Sequence, residues 1–181
     1  MASFFSHAIA SVAIGRAMLF RERMKFWLLG ITCAVIPDGD FIGFKLGIPY
    51  ESVFGHRGFT HSFFFALLLA LITMLLFYRA EKIFSRRWNV FFFFFFLSTA
   101  SHSLIDALTN GGLGVAFFSP FSNERYFFPW QPIEVSPLGI QAFFSERGLK
   151  VLKNEMLWVI LPSLLLMLFP LLMRKKNSAE K

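Results

Sequence analysis

Residues 59–78 read FTHSFFFALLLALITMLLFY. From Phe63 onward this stretch carries no charge, and a helix of about 20 such residues crosses the hydrocarbon core of a bilayer. A soluble fold cannot bury such a segment in a chain of 181 residues that is 56% hydrophobic and only 16% charged, because the excess would lie exposed as aggregating patches. Four more apolar stretches repeat the pattern. Residues 156–173 are nearly as clear; 89–108 are apolar in their first half and polar in their second. Residues 26–44 are broken by Pro37-Asp38-Gly39-Asp40, and 4–20 are the weakest, holding His7 and Arg16. The chain therefore reads as all-α, a polytopic transmembrane helix bundle of four to five spans forming a single membrane-embedded domain over residues 1–181. The Phe run at 91–96 would suit a strand in water, but here it reads as lipid-facing helix.

The formal charge of +7 does not indicate nucleic acid, because Lys and Arg sit in short clusters between apolar runs. Arg21, Arg23 and Lys25, then Arg79, Lys82, Arg86 and Arg87, then Arg174, Lys175, Lys176 and Lys181 make eleven on one set of loops. The alternate loops hold six: Lys45, Arg57, Arg125, Arg147, Lys150 and Lys153. Positive-inside logic puts the C-terminus in the cytoplasm and residues 111–154 outside, as an interfacial cap with Ser119-Pro120-Phe121 and Phe128-Pro129-Trp130 turns. The single cysteine, Cys33, allows no internal disulfide.

The four histidines (His7, His56, His61, His102) and three aspartates (Asp38, Asp40, Asp106) all fall at the outer ends of spans one to four under this topology. An aspartate at mid-helix costs about 2.5–3.5 kcal/mol on insertion scales, and a divalent cation offsets that cost by taking carboxylates and neutral imidazoles as ligands. His102 and Asp106 are four apart, on one helix face. Asp38 and Asp40 would diverge on a regular helix, so Pro37 and Gly39 are expected to open a turn there. Thr60 is placed to cap the next helix.

The strings His56-Arg57-Gly58-Phe59-Thr60-His61-Ser62 and Ser101-His102-Ser103-Leu104-Ile105-Asp106-Ala107-Leu108-Thr109-Asn110-Gly111-Gly112, with His7 and Pro37-Asp38-Gly39-Asp40, resemble the YdjM family. That resemblance implies a metal-dependent hydrolase of bacterial inner membranes. More distantly, the His-x-x-x-Asp pair is similar to the zinc-dependent phospholipase C and P1 nuclease group. The expected metal ligands are His7, Asp38, His61, His102 and Asp106, around one or two divalent ions, zinc foremost. Asp40 or His56 is expected to complete a second metal or act as general base, and Arg57 to face an anionic group. The bilayer is the evident partner, with a phospholipid or lipid-linked phosphate as the substrate class. Two other readings stay open: an ion or proton transporter using the same cluster, and a non-catalytic protein braced by a structural metal.

Overall fold

The computed structural model describes residues 1–18, 22–137 and 143–168. Among them the regular structure is helical, with two isolated β-bridges and no strand. Helix α1 (Phe4–Met18), α2 (Met24–Val35), α4 (Phe63–Phe77) and α5 (Arg86–Ala107) run antiparallel in turn and form the bundle, with α2 and α4 both packed on α5. Among the described residues three helical stretches are long and apolar enough to cross a membrane: Met24–Lys45, Arg86–Ala107 and Glu146–Leu168. Phe4–Met18 and Phe63–Phe77 are shorter apolar helices beside them.

The core is aromatic. Phe91, Phe94 and Phe95 are buried against Phe26, whereas Phe93 is 53% exposed. The Phe run thus follows the 3.6-residue period, with positions i, i+3 and i+4 turned inward. Its expected lipid-facing character holds for only one side of the helix. Gly30 lets α2 approach α5: a Cβ there would lie 2.3 Å from the Phe94 ring.

The Pro37-Asp38-Gly39-Asp40 segment is not an open turn. It tightens into a 3₁₀ helix, Ile36–Phe41, which continues into the short α3 (Ile42–Lys45). Pro37 fits such a first turn because it has no N–H to place.

The expected cap also divides differently. Residues 109–137 fold over one end of the bundle, with Ala116 N–H bonded to Arg57 O, Phe128 N–H to Ala107 O and Asn110 N–H to Ile133 O. The last span, however, starts ten residues earlier than its apolar run. Helix α6 (Glu146–Glu155) passes through a π-helical turn, Met156–Ile160, and on to Leu168. Its first half is charged, so hydropathy alone missed it. The expected end of this span, past residue 168, lies outside the described residues.

Candidate metal centre

Four elements bring polar side chains to the capped end of the bundle. The 3₁₀ segment supplies Asp38 and Asp40, and the loop before α4 supplies His56, Arg57, Thr60 and His61. The last turns of α5 supply His102 and Asp106, and α1 supplies His7 near its start. The loop is stiff. Arg57 sits at φ +62°, a left-handed conformation that costs a side-chain-bearing residue about 1–2 kcal/mol. Gly58 follows because a Cβ there would lie 2.3 Å from Val53 O.

Asp38, His61, His102 and Asp106 converge, with one donor atom from each within 4.8 Å of the others. His61 Nε2 is 3.0 Å from His102 Nε2, 3.6 Å from Asp106 Oδ2 and 3.8 Å from Asp38 Oδ1. His102 Nε2 is 3.3 Å from Asp38 Oδ1 and 3.9 Å from Asp106 Oδ2. A tetrahedral zinc with ligand bonds of about 2.0–2.2 Å has ligand-to-ligand edges of about 3.4 Å. The five separations bracket that value.

The protonation pattern points the same way. His102 Nδ1 lies 2.7 Å from the Ala34 carbonyl, which can only accept, so the Nδ1 carries the proton. In a 3₁₀ turn that carbonyl would look to residue 37, and Pro37 has no N–H. His61 Nδ1 lies 3.1 Å from Asp40 Oδ2, which fixes its proton there too. With the protons so placed the two Nε2 atoms face each other 3.0 Å apart, a contact that either one shared proton or a metal ion relieves. Asp38 Oδ1 and Asp106 Oδ2 are buried with no hydrogen bond among the described residues. A buried acceptor without a hydrogen bond forfeits about 1–3 kcal/mol, which the Arg57 Nε, 3.2 Å from Asp106 Oδ2, offsets in part at that oxygen. Histidine ligands typically give their second ring N–H to a carboxylate or carbonyl in this manner.

The remaining site residues surround this group. Asp40 accepts from His56 Nδ1 (2.6 Å), the Thr60 hydroxyl (2.6 Å) and the Arg57 N–H (3.1 Å), besides pairing with His61. Its oxygens are engaged by these groups. The trio Asp40, His56 and His61 is compact enough to hold an ion as well, which is the geometry the expected second metal requires. Thr60 is spent on Asp40, and Ser62 caps α4 in its place, accepting from Phe65 N–H.

Arg57 is fully buried. Its Nε is 3.2 Å from Asp106 Oδ2, Nη2 donates to Thr109 Oγ1 (2.9 Å) and Nη1 to Gly111 O (2.8 Å). All three nitrogens face protein, so its expected role toward an anionic substrate gives way to holding Asp106. His7 stands beside the four: its ring stacks on His102 at 3.7 Å and its Nε2 is 3.5 Å from Asp106 Oδ1. That oxygen also accepts from Ala2 N–H at 2.7 Å.

Outside the spans, Arg125 braces the loop by donating to His56 O and Tyr50 O, with its guanidinium 5.2 Å from the Tyr50 ring. Burial lowers the Arg125 pKa and raises that of the Tyr50 phenol.

One buried acid escaped the sequence reading. Glu155, at the π-helical turn, is fully buried and accepts from Ser3 N–H, Ser3 Oγ and Ser6 Oγ. A glutamate flanking an apolar run looks like an interfacial residue, and only the fold shows that three donors wait for it.

The centre is closed on nearly every side. His61, His102 and Asp106 have side chains 0% exposed, while Asp38 is 11% exposed. Asp38 also lines an open, mostly apolar groove of about 470 Å³ together with Phe4, Ile31, Thr32, Val35, Ile36 and Gly39.

The family model for the YdjM inner membrane protein matches residues 1–177. The inner membrane protein YbcI of Escherichia coli (strain K12) is 39% identical over 173 residues, covering 92% of this chain and 95% of that protein. No solved structure matches.

Proposed function

The chain belongs to the YdjM inner membrane protein family, and on that footing we propose that it is a metal-dependent hydrolase acting on an amphiphilic, phosphate-bearing lipid. Asp38, His61, His102 and Asp106 hold one divalent ion, zinc foremost. The observation that carries this reading is the convergence of two imidazole nitrogens and two buried carboxylate oxygens within 4.8 Å of one another. When bound, a zinc ion lowers the pKa of a coordinated water toward neutrality and polarises the scissile group.

The chain's own residues do the rest. Asp40 and the Ala34 carbonyl fix the tautomers of His61 and His102. Arg57 balances the Asp106 charge and aims its Oδ2 inward. His7 stacks on His102 and fixes its plane. Asp38, the ligand with an exposed edge, is where water and substrate meet the centre. The orientation read from the basic loops places this end toward the outer leaflet.

One observation favours a second reading, a bracing metal: four protein ligands already complete a tetrahedron, and closed sets are the mark of structural zinc. The two separate in one assay. Purified protein is analysed for metal and screened against phospholipids and lipid-linked phosphates, as wild type and as Asp106→Asn. Catalysis predicts turnover in the wild type that Asp106→Asn abolishes. A bracing metal predicts no turnover and a fall in thermal stability on chelation. Turnover that survives Asp106→Asn would sink the mechanism.

A further inference from the structure

The cap and α6 enclose a second cavity, and its walls are polar. It has a volume of about 330 Å³ and is lined by Asn110, Glu134, Val135, Arg147 and Lys150. Hydrogen bonds hold those walls in place. Asn110 Oδ1 accepts from Val135 N–H (3.0 Å), and Asn154 on α6 accepts from Glu134 N–H (2.8 Å) while donating to Pro132 O (3.0 Å). The part of the Asn110 amide left over is its NH2 group, which donates to no described residue. Lys150 pairs with Glu134 at 2.9 Å, but Arg147 has no ion-pair partner among the described residues. Around the cavity the cations Arg147, Lys150 and Lys153 outnumber the acids Glu134 and Glu146 by one.

The cavity also lies at the depth of lipid phosphates. Lys153 and Lys150 precede Met156, where the uncharged run begins, by about 4 and 9 Å along the helix. The headgroup layer is about 5–7 Å deep on each side of the hydrocarbon core, within reach of both side chains. Phe144 and Leu149, beside Arg147 and Lys150, are 82% and 59% exposed, and below them Leu157 and Leu161 are 53% and 47% exposed on the same helix. Cations interleaved with exposed apolar side chains mark a surface that meets headgroups.

We infer that this cavity holds the phosphate of an anionic phospholipid from the leaflet at the capped end. Arg147 and Lys150 take the phosphate oxygens, the Asn110 NH2 donates a further bond, and the tails lie along Leu157 and Leu161. The planar guanidinium fork meets two phosphate oxygens at once. The residual charge is positive, so a head of net negative charge gains more than a zwitterion does. No metal-ligand residue lines the cavity, and the inference stands apart from the metal reading.

The full chain in detergent is mixed with equal amounts of phosphatidylglycerol and phosphatidylcholine, and retained lipids are counted by native mass spectrometry. The expected result is one phosphatidylglycerol per chain, favoured on the order of tenfold over phosphatidylcholine. Arg147→Gln combined with Lys150→Gln should abolish the preference. Asn110→Asp keeps the acceptor for Val135 N–H, replaces the donor with a negative charge, and should weaken retention. Arg23→Gln combined with Lys82→Gln, the same loss of charge at the other end of the bundle, should leave retention unchanged. Equal retention of the two lipids, or a preference that survives in the Arg147 and Lys150 variant or in Asn110→Asp, would overturn the site. Equal loss in the Arg23 and Lys82 pair would reduce it to general surface charge. Displacement by excess glycerol phosphate would overturn the lipid assignment in favour of a free phosphate.

Discussion

His61 lies between two carboxylates, Asp40 at one ring nitrogen and Asp38 at the other. The two acids are two residues apart in sequence yet do different work, because a 3₁₀ turn separates their directions. Asp40→Asn should therefore weaken zinc binding by about 10–100-fold, the usual effect of losing a carboxylate behind a histidine ligand. Asp38→Asn should strip the ion altogether; titration with a zinc indicator in detergent distinguishes the two. If both variants bind alike, the division of labour is wrong. Arg57→Ala leaves the Asp106 charge buried and uncompensated, and should cost about 3–5 kcal/mol in stability, read as a lower unfolding temperature. The participants were legible in the sequence because the chain uses no histidine or aspartate anywhere else. Their ranks were not. Which oxygen is already hydrogen-bonded depends on Thr60, the Arg57 N–H and the Ala34 carbonyl, and none of these advertises itself in a string of letters.

Helices were legible where hydropathy is continuous and illegible where packing overrides it. Helices α4 and α5 follow from composition, although α4 at Phe63–Phe77 is shorter than the expected span. The early start of the last helix does not, since Glu146–Glu155 is charged on its surface and hides a single committed acid, Glu155. That acid ties α6 to the first turn of α1, which carries His7. Glu155→Leu should leave the donors of Ser3 and Ser6 unpaired at about 1–3 kcal/mol each, and loosen the His7 end of α1. Faster amide exchange over residues 3–8 would register the loosening, and unchanged exchange would show that Glu155 is not the tie. At the other crossing, Gly30→Leu drives a side chain into Phe94. It should cost about 1–3 kcal/mol as overpacking does, measured by thermal unfolding in detergent.

The bundle has two chemically different ends. One carries every histidine and aspartate under the cap. The other carries Glu22 and Glu81 with Arg87, and Lys25 bonded to Phe77 O. The Lys and Arg pattern predicts that the latter faces the cytoplasm. Cys33 is buried, so cysteines placed at Lys82 and Asn123 report accessibility over a low background. A membrane-impermeant maleimide on intact cells should label Asn123→Cys and spare Lys82→Cys; the reverse would invert the molecule. Synthesis gives this arrangement an order. Asp38 and His61 leave the ribosome long before His102 and Asp106, and the cap and Glu155 come later still. Until α5 inserts and docks, Asp38 and His61 wait without His102 and Asp106. The four converging side chains are therefore complete only late in synthesis, and on the metal reading the ion has its full set of ligands only once α5 has docked.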